Sequence, residues 1–159
     1  MDVGFELIER IGVLSKHNDG WAKELNIVSW NNGEPKWDIR DWDENNERMT
    51  RGITLVQGEM DNMINAYSDW VKRGCQCNPP INFCSPSDIE YDLYAHIGLL
   101  SVSDSCRREI NYLSWNKQAP KVDIRSWING YEKMSRGIAL SKEEMDTMVD
   151  IYKKSGVRL

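Results

Sequence analysis

One stretch decides the fold, and the chain contains it twice, as ELNIVSWNNGEPKWDIRDW at residues 24–42 and as EINYLSWNKQAPKVDIRSW at residues 109–127. The similarity extends beyond these strings. Residues 24–67 align without gaps with residues 109–152, and 22 of the 44 aligned positions are identical. Self-similarity of this kind indicates that the chain is built from two copies of one structural unit.

The repeats divide the chain into three parts. We predict a first repeat within residues 1–71, a second repeat within residues 89–159, and a linker at residues 72–88 that is rich in proline and cysteine. A repeat of about 65 residues buries too little apolar surface to be robust alone. The two copies are therefore expected to pack as an intrachain pseudo-dimer, as the subunits of a homodimer do.

The pattern of each repeat predicts four strands and a helix. In the first repeat we expect strands at residues 5–15, 21–30, 36–42 and 52–55, and a helix whose apolar side chains run from Met60 to Val71. In the second repeat Ser141 and Glu144 form a capping box at the start of the helix, which the first repeat lacks. The predicted fold class is α+β, with two tandem β-β-β-β-α units, each an antiparallel sheet followed by a C-terminal helix.

The second and third strands form a hairpin with two chemically different faces. If its turn centres on Gly33, Leu25 lies opposite Asp41, and alternation sorts the side chains by face. The helix-side face then carries Leu25, Ile27, Trp37 and Ile39. The opposite face carries Asn26, Val28, Trp30, Lys36, Asp38, Arg40 and Trp42, repeated as Asn111, Leu113, Trp115, Lys121, Asp123, Arg125 and Trp127. Identity between the copies is concentrated on this second face.

Tryptophan, lysine and arginine interleaved on one sheet face suit a single-stranded nucleic acid. Each ring offers a stacking surface worth about 1–3 kcal/mol per base, and the cations follow the phosphates. Asp38 and Asp123 lie two residues before an arginine, and their simplest role is to orient its guanidinium. The alternative is that this face is the seam between the copies and buries Trp30 and Trp115.

Three strings extend this interpretation to a family. KELNIVSWN at residues 23–31, PKWDIRDWD at 35–43 and MTRGITL at 49–55 resemble the single-stranded-DNA-binding domain of the transcriptional coactivator called positive cofactor four, and most closely its bacterial YdbC-like branch. The resemblance implies a curved four-stranded sheet with a helix, working as a homodimer that binds single strands with little sequence preference. Two copies in one chain then imply a monomer that forms its own pseudo-dimer.

The resemblance also implies which side chains bind. Besides the tryptophans of the polar face, it implies that several basic residues bind. Alternation places two of these, Lys23 and Arg108, on the helix side. The predicted nucleic-acid-binding residues are Lys23, Trp30, Lys36, Arg40, Trp42, Arg51, Arg108, Trp115, Lys121, Arg125, Trp127 and Arg136. The predicted partner is single-stranded DNA or RNA, in transcription regulation, replication or repair.

Composition limits the other classes of function. The net charge of −5 argues against binding by bulk positive charge, and it favours the main alternative, a protein-interaction module without nucleic acid. A metal-dependent nuclease would need clustered carboxylates, and three of the four candidates (Asp38, Asp41, Asp43 and Glu44) are absent from the second repeat. We expect no catalytic residue, no cofactor and no metal.

The remaining expectations concern the cysteines and the location of the chain. Cys75, Cys77, Cys84 and Cys106 do not follow a known zinc-ribbon spacing, so free thiols are favoured over a zinc site. No apolar run approaches the roughly 20 residues of a membrane span. These features predict a cytoplasmic protein without membrane contact, associated with the nucleoid if bacterial.

Overall fold

A computed structural model describes residues 4–84, 89–131 and 133–159 of the chain. It is an α+β structure with antiparallel sheets, as the sequence predicts. The chain divides into two compact units, one made of Met1–Gly58 with Glu143–Leu159 and the other of Glu59–Lys142. Within the described residues, no helix is long and apolar enough to cross a membrane.

Each unit contains one sheet. The first sheet has the order β1-β2-β3-β4, with strands at Phe5–Lys16, Ala22–Trp30, Lys36–Trp42 and Ile53–Leu55. The second has the order β5-β6-β7-β8-β9, with strands at Ile81–Cys84, Glu90–Ser103, Cys106–Trp115, Lys121–Ile128 and Lys133–Leu140. The helices are α1, Gln57–Lys72, and α2, Lys142–Ser155, which begins directly after the predicted capping residue Ser141.

The hairpin between β2 and β3 turns slightly earlier than the sequence predicts. Asn31 and Asn32 both have positive φ, 51° and 60°, which is typical of the central residues of a type I′ turn, and the Gly33 N–H donates to the Trp30 carbonyl at 2.9 Å. Leu25 consequently pairs with Ile39 and not with Asp41. A shift of two residues preserves the alternation, so each side chain keeps its predicted face.

The two sheets also share their irregularities. β1 and β6 are long strands, and each is interrupted by three bulges against the strand that follows it. In the first sheet the bulges fall between Leu7 and Glu9, Arg10 and Gly12, and Val13 and Ser15. In the second they fall between Leu93 and Ala95, His96 and Gly98, and Leu99 and Ser101. Each bulge of β6 lies 86 residues after its counterpart in β1, so the two sheets share backbone shape at these positions.

The helices are exchanged between the repeats. In the first unit Tyr152 of α2 packs edge-on against Trp37 of β3, with ring centres 5.0 Å apart. In the second unit Trp70 of α1 packs against Tyr112 of β7 at 5.2 Å. Each unit therefore combines the sheet of one repeat with the helix of the other, whereas the order of elements in the sequence suggested that each sheet carries the helix that follows it.

The helix-side face of each sheet belongs to an apolar core. Buried side chains of the first unit include Leu25, Ile27, Trp37, Ile39, Leu55, Met145 and Met148. Those of the second unit include Ile110, Val122, Ile124, Leu140, Met60 and Met63. The predicted core face of the hairpin is thus confirmed in both copies.

The segment expected to be a linker contains a strand. β5 pairs with the outer edge of β6, from Ile81 opposite Leu93 to Cys84 opposite Glu90. It gives the second sheet a fifth strand, which the tandem β-β-β-β-α pattern did not include.

Candidate nucleic-acid interface

The face of the first sheet that lies opposite the helix carries a tightly organised group of three side chains. Arg40 Nε donates a hydrogen bond to Asp38 Oδ1 at 2.7 Å, and its Nη2 donates to Oδ2 at 2.8 Å. The guanidinium carbon lies 4.5 Å from the centre of the Trp30 ring, whose indole N–H donates to Asp38 at 3.2 Å. The predicted role of Asp38, to orient the guanidinium, is confirmed.

The second sheet repeats this group with nearly identical geometry. Arg125 donates two hydrogen bonds to Asp123, at 2.6 and 2.7 Å. Its guanidinium carbon lies 4.6 Å from the Trp115 ring centre, and the Trp115 indole N–H donates to Asp123 at 3.1 Å. The same three residue types therefore adopt the same arrangement in both sheets.

Each guanidinium keeps part of its hydrogen-bonding capacity. Arg40 Nη1 donates to the carbonyl of Thr50, and Arg125 Nη1 donates to that of Ser135, both at 3.3 Å. Three of the five N–H groups of each arginine are then used within the described structure, and one remains on each terminal nitrogen. The two side chains are 12% and 14% exposed. Each arginine can therefore donate two further hydrogen bonds to an anionic oxygen.

The carboxylates under these arginines are fully buried. Burial raises the pKa of Asp38 and of Asp123 above the ordinary value, and the hydrogen bond and charge of the neighbouring arginine oppose that shift. The ionised form of each carboxylate thus depends on its arginine. Removing the arginine would leave an unpaired buried charge.

A cleft adjoins this group in the first unit. Its volume is about 360 Å³, and its lining residues are Trp30, Gly33, Glu34, Lys36, Arg40 and Thr54. It places a ring, an ammonium group and a guanidinium around one open space, which suits a flat ring joined to an anion.

The other basic residues predicted on this face lie near the same groups. Lys36 is the first residue of β3 and is half-buried, and Lys121 is the first residue of β8 and is exposed. Arg51 and Arg136 are exposed, and each directly follows the residue whose carbonyl accepts from the strand arginine. Each sheet therefore brings a lysine and two arginines to one region.

Two predicted basic residues point elsewhere. Lys23 Nζ lies 3.4 Å from Glu144 of α2, and Arg108 Nη1 lies 3.3 Å from Glu59 of α1. Each side chain is engaged with a helix carboxylate on the opposite side of its sheet, as the alternation indicated, and its contact with nucleic acid stays a prediction.

The tryptophans of the polar face divide into two kinds. Trp30 and Trp115 are half-buried and carry the arginines described above. Trp42 and Trp127 are 0% and 1% exposed, and no acceptor among the described residues pairs with either indole N–H. In this structure these rings form the aromatic floor of the face, and the stacking of bases on Trp42 and Trp127 stays a prediction.

A buried carboxylate network under the same face was missed by the sequence prediction. In the first sheet Glu24 accepts hydrogen bonds from Asn26 at 3.0 Å and Asn46 at 3.1 Å, and Arg10 donates to Asn46. The signal was available, because Glu24 and Asn26 are identical in the second repeat. Arg10 is exposed and adds a cation to this face.

The second sheet has the same network with different partners. Burial opposes the ionisation of Glu109, but hydrogen bonds from His96, Tyr131, Asn111 and Arg107 outweigh it and lower its pKa to about 2. The hydrogen bond to Glu109 in turn raises the pKa of His96. His96 occupies the position of Arg10, so the basic residue at this position is an arginine in the first sheet and a histidine with a raised pKa in the second.

A glycine opposite each strand arginine allows the group to form. Gly52 and Gly137 lie beside Arg40 and Arg125, and a Cβ on either glycine would fall on the Cβ of its arginine and on the preceding carbonyl oxygen. No side chain fits there without moving the strand that carries the arginine. Glycine stands at this position in both repeats, and this identity is the feature of the sequence that indicates the constraint.

We expect Gly52→Ala to destabilise the protein by about 1–3 kcal/mol through overpacking. The same change should displace the Arg40 side chain from Asp38. Gly58→Ala is the matched control, since nothing lies within 4 Å of the added Cβ and alanine favours the helix there. Thermal unfolding of both variants tests this, and equal stability of Gly52→Ala and the wild type would contradict the close approach.

Comparison with known proteins places these features in context. Residues 102–151 match the family model described as Transcriptional Coactivator p15 (PC4), and this range includes Trp115, Asp123 and Arg125. An uncharacterized protein of Treponema pallidum (strain Nichols) is 37% identical over 59 residues, which are 37% of this chain and 69% of that protein. Residues 102–151 of this chain are therefore similar to the domain that the Transcriptional Coactivator p15 (PC4) model describes.

Proposed function

We propose that this protein binds single-stranded DNA through the Trp–Asp–Arg group of each sheet, with little dependence on sequence. The family whose model matches residues 102–151 is a nucleic-acid-binding family, and the match supports binding of single-stranded DNA and a transcription-related role. The observation that carries the proposal is the same oriented arginine in both units, with two N–H groups that have no partner among the described residues, beside a half-exposed tryptophan.

The chemistry of this group favours a single strand over a duplex. The two remaining N–H groups of each arginine donate hydrogen bonds to phosphate oxygens, while unpaired bases stack on rings such as Trp30 and Trp115. A duplex hides its base faces and offers only phosphates. The helices do not suit a DNA groove, because the first turn of α1 carries Glu59 and the first turn of α2 carries Glu143 and Glu144.

We further propose that the two units are tandem YdbC-like copies that act as a pseudo-dimer within one chain. The equivalent bulges of β1 and β6 and the exchange of helices between repeats support this, because shared elements are typical of subunits that fold together. The repeats at residues 1–71 and 89–159 would then each supply one sheet with its own binding face.

Competition between single- and double-stranded probes of equal length tests the proposal. We expect the labelled single strand to be displaced by unlabelled single strand and hardly at all by duplex. With about six phosphate contacts, from Lys36, Arg40, Arg51, Lys121, Arg125 and Arg136, affinity should fall about 300-fold between 50 and 200 mM salt.

Other outcomes would identify a different function. Equal competition by duplex would contradict a single-strand binder. Binding of neither probe would favour the protein-interaction module that the net charge of −5 suggests. Degradation of the probe after addition of a divalent metal would indicate a nuclease, although no group of three or more metal-binding side chains occurs among the described residues.

A further inference from the structure

The first sheet has an aromatic ring next to its Trp–Asp–Arg group that the proposed function does not use. Phe5 of β1 lies opposite Trp30, with ring centres 5.6 Å apart, and it also contacts Trp42 at 5.3 Å. Its side chain remains half-exposed. Phe5 therefore extends the surface formed by Trp30, which lines the cleft with Lys36 and Arg40.

The equivalent ring of the second sheet is covered. Tyr91 lies opposite Trp115 and contacts Trp115 and Trp127 at 5.2 and 5.3 Å, which reproduces the surroundings of Phe5. Tyr91 is nevertheless only 1% exposed. Phe5 and Tyr91 thus contact equivalent tryptophans, but Phe5 is half-exposed and Tyr91 is covered.

β5 supplies the cover. Phe83 stacks on Tyr91 almost in parallel, with ring centres 5.0 Å apart and an angle of 12° between the planes. This is the geometry in which a flat nucleobase stacks on an aromatic side chain. Among the described residues the first sheet has no strand equivalent to β5, and the ring contacts of Phe5 are those to the two tryptophans.

We propose that Phe5 is a nucleobase-stacking position of the first sheet, and that Phe83 occupies the equivalent position of the second sheet in place of a base. This inference rests on the proposed single-strand binding. A single strand whose phosphate meets Arg40 and whose base meets Trp30 can place its neighbouring base on Phe5. The second sheet binds one base fewer until β5 is displaced, so the two sheets bind unequally.

The test uses the full chain and a fluorescein-labelled oligothymidylate of about 8 nucleotides. Phe5→Leu keeps apolar volume over Trp42 but removes the ring, and we expect an affinity loss of about 5- to 100-fold. Phe83→Ala should uncover Tyr91, and the double variant should recover much of the affinity lost in Phe5→Leu. Ile8→Ala on β1 and Ile81→Ala on β5 are matched controls, because both side chains are exposed, at 46% and 58%.

The outcomes separate this inference from the proposed function. If the wild type does not bind the oligonucleotide, the proposed function fails. If the wild type binds and Phe5→Leu stays folded with unchanged affinity, only the stacking position on Phe5 is overturned. If Phe5→Leu melts too early for a binding comparison, Phe83→Ala alone decides: more nucleotides bound per chain support the proposal, and no change overturns it.

Discussion

Substituting Trp42 by alanine is expected to lower the free energy of unfolding by about 3–5 kcal/mol, because the indole is fully buried and its removal leaves a large cavity. The same cost is expected for Trp127, which packs against Tyr91, Tyr131 and Trp115. For a chain of this size the melting temperature should fall by roughly 10 °C or more. Urea denaturation of each variant measures the effect.

Two further variants show whether burial is the cause. Trp21→Ala removes the same side chain from a half-exposed position, where the second repeat has Cys106, and should cost much less. Trp42→Phe keeps most of the packing and removes an indole N–H that has no acceptor among the described residues, so it should also cost less than alanine. If Trp42→Ala is no more destabilising than Trp21→Ala while single-strand affinity is lost, the ring would bind bases directly.

The sorting of side chains by face could be predicted from sequence because it depends only on the parity of the strand. Alternation placed Lys23 on the helix side and Arg40 on the other side, and both placements hold. The pairing register was two residues off, since nothing in the sequence distinguishes a turn at Asn31 and Asn32 from one centred on Gly33. An even shift leaves every face assignment intact.

The burial of Trp42 could not be predicted in the same way. Alternation says which face a side chain is on, but it does not say what covers that face. Here Phe5 of β1 covers the Trp42 ring. β1 contains three bulges, and each bulge reverses the alternation of side chains that a regular strand would have. The aromatic floor therefore depends on irregular backbone, which composition does not reveal.

The exchange of helices was equally inaccessible. Core positions of the two sheets are occupied by similar apolar residues, such as Leu25 and Ile110, so either helix is chemically compatible with either sheet. Polar contacts are also equivalent, since Glu144 meets Ser15 and Glu59 meets Ser101. The sequence of a repeat therefore predicts that its helix packs against an apolar sheet face, but it does not predict whether that sheet belongs to the same repeat or to the other one.

Replacing Arg40 by glutamine is expected to destabilise the fold before it reports on binding. The change leaves the Asp38 carboxylate buried without its partner, which costs about 3–5 kcal/mol for a broken buried pair. Burial already raises the pKa of Asp38, and loss of the guanidinium raises it further. The variant should therefore be less stable in alkaline than in acidic buffer, because its stability falls as pH rises through the folded-state pKa of Asp38.

Neutralising the carboxylate at the same time isolates the role of the arginine in binding. The double change Asp38→Asn with Arg40→Gln leaves no buried charge, so we expect it to unfold near the wild-type denaturant concentration without the pH dependence of the single variant. Its affinity for a single strand should fall about tenfold, and the salt slope should flatten by about 0.7 for one lost phosphate contact. Arg40→Lys keeps the charge but loses the two-point contact with Asp38, so affinity should fall while the slope stays unchanged. A stable double variant with wild-type affinity and slope would show that the arginine serves the fold alone, and the equivalent pair Asp123 and Arg125 repeats the measurement in the second sheet.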